Sequence, residues 1–224
     1  TGRTRAGGAG TTTAALFFGG GTGPSDFNVS NETWDGSSWT EVANLNTGRQ
    51  YIAGAGTNTA AFSTGGQTPS VTDAVESWNG TAWTETTEIN TARSSKAGAG
   101  TSTAMIVTGG LEPSVSGKTE LWDNSSWTES GDLNTARYGP GLSGTTTASI
   151  AFGGSPNPKA VAETYDGSSW TEVGDLSTAR GELGGSPSGS NVSALAAGGN
   201  TPGGVVANTE EWEVPGATKT LTVS

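Results

Sequence analysis

The sequence predicts an all-β fold made of five similar units, each with four short antiparallel strands. Three repeating features lead to this prediction. A Thr-x-Arg triplet recurs about every 44 residues, a spacing typical of repeat architectures. A Gly-Gly pair follows each triplet, and a Glu-x-aromatic triplet follows each pair. The repeated arginines are Arg3, Arg49, Arg93, Arg137 and Arg180, and the repeated glutamates are Glu32, Glu76, Glu120, Glu163 and Glu210.

Each unit opens with a strand of small residues, such as residues 53–57, and continues after a polar turn into a more apolar strand. The Gly-Gly pair ends this second strand, as it does after residues 104–107. A variable loop, often with proline, leads to the third strand, which carries the Glu-x-aromatic triplet. A tight turn, Asp-Gly or Asn-Gly in most copies, leads to a fourth strand that begins with tryptophan, and such dipeptides favour hairpins. No segment has the apolar period of a helix.

A repeat of this length with four strands is typical of a β-propeller blade. We therefore expect one five-bladed domain over residues 1–224, with blades at about 1–46, 47–90, 91–134, 135–177 and 178–224. The phase of the repeat predicts that the chain begins on an inner strand and ends on an outer one. Each blade is then one contiguous segment, and no strand is exchanged between the termini.

The Gly-Gly pair, the third-strand aromatic, the tryptophan that opens the fourth strand and the arginine before the first strand resemble the repeats of kelch β-propellers. The resemblance covers the whole chain, but the units are short and five copies replace the usual six or seven. Residues 78–83 and 97–101 are also similar to kelch-like repeat proteins of marine bacteriophages, which are thought to be virion components. This resemblance implies a virion or extracellular protein, for example part of a tail fibre.

Most of the repeated residues are expected to serve the fold. Tryptophans at a fixed place in each unit are expected to fill the space between neighbouring blades, because each buries a large apolar area. Glycines in the first strands suit a narrow centre, and Leu142 and Pro187 interrupt that pattern. Each repeated arginine is expected to form a bidentate pair with a repeated glutamate, since both recur once per unit. The alternative is a ring of arginines that binds anions.

Composition disfavours several classes of function. The chain has no cysteine and no histidine, which removes the commonest general base and the commonest metal ligands. We expect no enzyme activity, no cofactor and no metal, because the polar groups repeat symmetrically instead of converging on one cleft. The net charge of −11 disfavours nucleic-acid partners. No apolar run reaches the roughly 20 residues of a membrane-spanning helix, so no membrane insertion is expected.

Binding residues are expected where the five-fold pattern is broken. The loops between second and third strands differ most among the units. With the linkers between units they emerge on one face, named here the variable-loop face, and loops on a rigid scaffold can vary without unfolding the core. The candidate binding residues on this face are Phe27, Tyr51, Tyr138, Lys118 and Lys159.

Different classes of function fit these features. One is an adhesive or receptor-binding module of a virion or extracellular fibre that recognises a cell-surface glycan or protein. Another is a structural decoration or spacer that contacts only other subunits of such an assembly. An intracellular kelch-type scaffold for protein partners is a third hypothesis. The high content of Thr, Ser and Gly, the few lysines and the negative charge fit a soluble particle exposed to solvent, and they fit the first two hypotheses about equally.

Overall fold

The fold consists of β-sheets joined by short turns and linkers. The computed structural model describes residues 2–187 and 189–213, and the backbone of residues 217–221. Within these ranges the chain forms no helix, and its strands make five sheets in chain order and two short hairpins. The all-β fold class predicted from the sequence is confirmed.

The five sheets are antiparallel and follow one another along the chain. The first contains β1 (Gly7–Gly10), β2 (Ala15–Phe18), β3 (Asn31–Trp34) and β4 (Trp39–Val42). The second contains β5 (Ala53–Gly56), β6 (Ala61–Gln67), β7 (Val71–Trp78) and β8 (Trp83–Thr86). The third contains β9 (Ala97–Gly100) and β10 (Met105–Thr108), then a hairpin of β11 (Leu111–Glu112) and β12 (Ser114–Val115), then β13 (Thr119–Trp122) and β14 (Trp127–Ser130).

The fourth sheet contains β15 (Gly141–Thr145), β16 (Ala148–Phe152), β17 (Ala162–Tyr165) and β18 (Trp170–Glu172). The fifth contains β19 (Ser193–Ala197), β22 (Thr209–Glu213) and β23 (Ala217–Leu221), with a hairpin of β20 (Asn200–Thr201) and β21 (Gly204–Val205) between the first two. The C-terminal strand β23 stays in the fifth sheet, where Thr220 pairs with Glu210. No strand of the first sheet pairs with it, as the phase of the repeat predicted.

The first strands β1, β5, β9 and β15 lie beside one another in that order. Their backbones approach so closely that several positions have no room for a side chain. A Cβ atom on Gly54 would lie 2.5 Å from the carbonyl oxygen of Gly8, and one on Gly185 would lie 2.4 Å from that of Leu142. This close approach explains the small residues that open each unit.

Aromatic residues fill the spaces between consecutive sheets. Trp78 and Trp83 of the second sheet pack against the first sheet, where the ring centroid of Phe18 lies 4.9 Å from that of Trp83. The predicted packing of tryptophans between units is found in all four spaces that separate consecutive sheets. The equivalent residues of the later sheets are Trp122 and Trp127, Tyr165 and Trp170, and Trp212.

The turns between third and fourth strands have the geometry that the sequence predicted. Gly36 takes a φ of 96°, in the left-handed region that glycine adopts without strain. The Asp35 carboxylate accepts hydrogen bonds from the Ser37 hydroxyl and from the Ser38 and Ser37 backbone amides. These bonds lower the pKa of Asp35 to about 2. The turn is therefore held by local chemistry.

The fifth unit departs from the prediction of four strands per unit. Its first strand is reduced to a single bridge between Gly184 and Ala197, and the fifth sheet has three strands. Pro187 lacks the backbone N–H that a strand would need at this point. Its carbonyl oxygen instead accepts a hydrogen bond from the Gly100 amide of the third sheet, at 3.2 Å.

The variable loops are also more ordered than the sequence indicated. The loop between the second and third strands of the second unit is short, because β6 continues past its Gly-Gly pair to Gln67 and β7 begins at Val71. A register shift between Thr64 and Gly66 accommodates the pair within the ladder. The corresponding loops of the third and fifth units form the two short hairpins.

Among the residues whose side chains the structure describes, the first and fifth sheets do not pack together as the consecutive sheets do. The Trp39 side chain is 50% exposed, whereas its equivalent Trp83 is only 5% exposed. On the fifth sheet Leu195 is 42% exposed, whereas its equivalent Leu16 is 1% exposed. The first and fifth sheets therefore each expose an apolar residue whose equivalent is buried between two consecutive sheets.

Candidate functional site

Five equivalent residues, two positions after each repeated arginine, share an unusual backbone conformation. All have left-handed φ angles between 53° and 59°. Successive members are joined by backbone hydrogen bonds of 2.6–3.2 Å, in which each amide donates to the carbonyl oxygen of the preceding member. We name them the rim residues: Arg5, Tyr51, Ser95, Gly139 and Glu182.

The rim residues surround an open cavity of about 460 Å³, which we name the central cavity. Its wall also includes Ile52, Lys96, Pro140 and Leu183, which follow four of the rim residues by one position. A second space of about 270 Å³, between the first strands, shares part of this lining and includes Leu142 and Pro187. The cavity has a volume typical of small-molecule sites.

The rim is where the five-fold pattern is most clearly broken. Its side chains are a guanidinium, a phenol, a hydroxyl, a hydrogen and a carboxylate, although the backbone is the same at all five positions. Left-handed backbone is uncommon outside glycine and carries a cost of about 1–3 kcal/mol at a bulky residue such as Tyr51. Strained positions of this kind concentrate at functional sites.

Side-chain contacts orient the charged rim residues. An Nη of Arg5 donates to the Gln50 side-chain oxygen at 3.2 Å, and the Arg5 guanidinium lies 5.0 Å from the centroid of the Tyr51 ring. Glu182 accepts a hydrogen bond from the Asn200 side-chain amide at 2.8 Å. The Arg5 guanidinium and the Glu182 carboxylate each contact a neutral or aromatic group, and they do not form an ion pair with each other.

A buried lysine lies beside the central cavity. Lys96 is 5% exposed, and its Nζ donates to the backbone carbonyl oxygens of Thr64 at 2.6 Å and Arg93 at 3.1 Å. The equivalent residue of the second unit is the apolar Ile52. Burial lowers the pKa of Lys96 well below its usual range, and the charges of Arg93 and Arg49 lower it further.

The repeated arginines lie against the repeated glutamates, away from the cavity. Arg93 and Glu120 illustrate the geometry: one Nη donates to Glu120 Oε1 at 2.8 Å, and the other donates to the carbonyl oxygens of Gly109 at 3.0 Å and Lys118 at 2.5 Å. Burial lowers the pKa of Arg93, and the charge of Glu120 opposes that shift. The five Arg–Glu distances, in chain order, are 2.8, 2.7, 2.8, 2.7 and 2.6 Å.

In the last four units the expected bidentate geometry is not found among the described residues, because the second glutamate oxygen has another partner. Glu120 Oε2 accepts the backbone amide of Asn90 at 2.6 Å, in the linker that precedes the third sheet. The amides that play this part for the other glutamates are those of Asn46 on Glu76, Asn134 on Glu163 and Ser177 on Glu210. Each of these carboxylates therefore joins an arginine to the preceding linker.

The candidate binding residues predicted from sequence do not all line the central cavity. Tyr51 is a rim residue, but Phe27, Tyr138, Lys118 and Lys159 are not part of the cavity wall. Lys118 donates to the Thr91 hydroxyl at 3.2 Å and lies 3.6 Å from Glu112. Only Tyr51 of the five candidates therefore lines the central cavity, and ligand binding by Phe27, Tyr138, Lys118 and Lys159 stays a prediction.

The sequence indicates the rim residues by their distance from the repeated arginines and not by their residue type. Tyr51 is the second residue after its arginine, whereas Tyr138 is the first, so the two tyrosines are not equivalent. Counting two positions from every repeated arginine leads to Arg5, Ser95 and Glu182, which the search for unusual aromatics missed. Lys96 was missed because it follows the rim within a linker of small residues.

No protein-family model matches the chain, and no curated protein was found to be similar to it. The part of the chain that the structure describes has no helix long and apolar enough to cross a membrane. Over the same residues, no three acidic, histidine or cysteine side chains are placed so that they could hold a metal ion.

Proposed function

We propose that the five sheets are the blades of a closed, kelch-like β-propeller. The shared central cavity and the order of the first strands support this, because residues from all five units line the same space. A closed propeller also requires contact between the first and fifth sheets. Trp39 and Leu195 occupy the positions that meet in the other spaces, and large exposed apolar groups favour burial.

We further propose that this propeller is a non-catalytic binding module of a virion or extracellular assembly. It recognises a cell-surface glycan or protein through the variable-loop face. The observation that carries the proposal is the rim, where one repeated backbone presents five unlike side chains around a cavity. Recognition needs unlike groups at one place, and loops and linkers on a rigid scaffold supply them.

The site within this face is the central cavity, and Tyr51 is the aromatic residue that it contributes. Phe27 is a suitable control for Tyr51, because both are partly buried aromatic residues and Phe27 lies outside the cavity wall. The paired arginines are assigned to the fold, since each has a carboxylate partner.

A glycan array and binding to bacterial cells test this proposal with the wild-type protein, Tyr51→Asn and Phe27→Ala. Asparagine tolerates left-handed backbone, so the first variant keeps the rim geometry. We expect wild-type binding, at least a tenfold loss in Tyr51→Asn and little change in Phe27→Ala. Absence of binding to every glycan and cell surface would refute the proposal and favour a structural decoration or spacer.

A further inference from the structure

Arg5 differs from the other arginines of the chain. The five repeated arginines each have a glutamate within 2.8 Å. Arg5 has no carboxylate at ion-pair distance among the described residues, and its side chain is exposed on the cavity wall. In a chain of net charge −11, an arginine left without a carboxylate at a cavity is available for an anionic ligand.

The guanidinium of Arg5 is also pre-oriented. Gln50 accepts from one Nη, and the Tyr51 ring supports the plane of the group at 5.0 Å. A guanidinium offers five N–H donors in a fixed fork, so several remain after the bond to Gln50. A planar carboxylate matches that fork with two parallel hydrogen bonds.

The other rim residues limit the kind of anion. Glu182 is a carboxylate on the same cavity, so a ligand with several negative charges meets repulsion there. The same carboxylate is a strong acceptor for hydroxyl groups, and Ser95 adds a hydroxyl that both donates and accepts. A ligand with one carboxylate and several hydroxyls satisfies all three side chains together.

We propose that the central cavity binds a carboxylated sugar, with its carboxylate on Arg5 and its hydroxyls on Glu182 and Ser95. This inference rests on the binding function proposed above and names the ligand class for the same site. A volume of about 460 Å³ lies within the usual range for small-molecule sites and admits a ligand of this kind.

Calorimetric titration tests the inference with D-glucuronate and N-acetylneuraminate as probes, and with glucose, inorganic phosphate and L-glutamate for comparison. The variants are Arg5→Asn, whose new residue tolerates left-handed backbone, and Lys159→Gln. Lys159 is a matched control because its loss changes the charge equally on the same face, but it lies outside the cavity wall. Near-wild-type melting of both variants shows that they fold.

We expect at least one sugar acid to bind the wild-type protein, at least tenfold more tightly than glucose. Arg5→Asn should weaken that binding at least tenfold, and Lys159→Gln should leave it unchanged. Equal binding of glucose, tighter binding of phosphate or L-glutamate, or insensitivity to Arg5→Asn would overturn the inference. If a glycan on the array still depends on Tyr51, only the ligand class fails; if no surface is bound at all, the binding function fails with it.

Discussion

The buried pair of Arg93 and Glu120 allows a stringent test of what holds the sheets together. In Glu120→Gln the new amide can still accept one hydrogen bond from Arg93, but its NH₂ group would face the Asn90 amide that now donates to Glu120 Oε2. The charge of Arg93 also loses its counter-ion within a fully buried site. Breaking a buried ion pair costs about 3–5 kcal/mol, and the retained hydrogen bond places this variant near 3 kcal/mol.

For a chain of this length, about 3 kcal/mol corresponds to a fall in melting temperature of roughly 6–12 °C. The measurement is thermal and urea unfolding followed by tryptophan fluorescence. Glu129→Gln is the matched control, because Glu129 lies directly opposite Glu120 on β14 and is exposed. If the two variants melt within a degree of each other, the Glu120 carboxylate does not stabilise the fold by joining Arg93 to the linker at Asn90.

Five further variants probe three other features. Lys96→Met removes two buried hydrogen bonds together with an amine whose pKa is depressed, so the variant should lose less stability at pH 7 than at pH 10. The unfolded wild-type chain binds a proton more tightly than the folded one, so the wild type gains stability relative to the variant as the pH rises toward the usual lysine pKa. Urea titrations at pH 7 and 10 measure this difference. Trp83→Ala should cost about 3–5 kcal/mol in the same assay. The proposed closure of the five sheets into a propeller predicts a similar cost for Trp39→Ala, whereas a cost under half of that would refute the proposal. Gly100→Ala should lower the free energy of unfolding by about 1–3 kcal/mol, because the φ of Gly100 is 106° and a Cβ atom there would lie 2.3 Å from the Ala104 carbonyl oxygen. Gly8→Ala is the control and should melt near the wild-type temperature, because a Cβ atom on Gly8 would have no atom nearer than 3.6 Å.

Much of the fold could be predicted because its determinants are local and repeated. The turn at Asp35 depends on atoms within three residues, so the sequence reports it directly. In the fifth unit Pro187 gives a local signal that the first strand is interrupted, but its hydrogen bond with Gly100 of the third sheet spans a long sequence separation. Such a contact leaves no periodic trace in the sequence.

The candidate site was only partly predictable. Tyr51 was identified because it interrupts the repeat as an aromatic residue, but its left-handed backbone arises from hydrogen bonds to neighbouring units. Arg5 and Glu182 are ordinary surface residues by composition, and only the three-dimensional arrangement brings them to one cavity. Residue type could indicate unusual positions, but it could not show which of them converge.

The carboxylates that join arginine to linker have a consequence for how such a chain can change in length. Glu76, Glu120, Glu163 and Glu210 each bind an amide in the linker before their own sheet, so each of the last four units is bonded to the linker that joins it to the unit before. A duplicated unit inserted at a linker would arrive with a complete set of these bonds and disturb none of the existing ones. The number of units can therefore change by whole units, and the contacts between neighbouring units remain of the same kind.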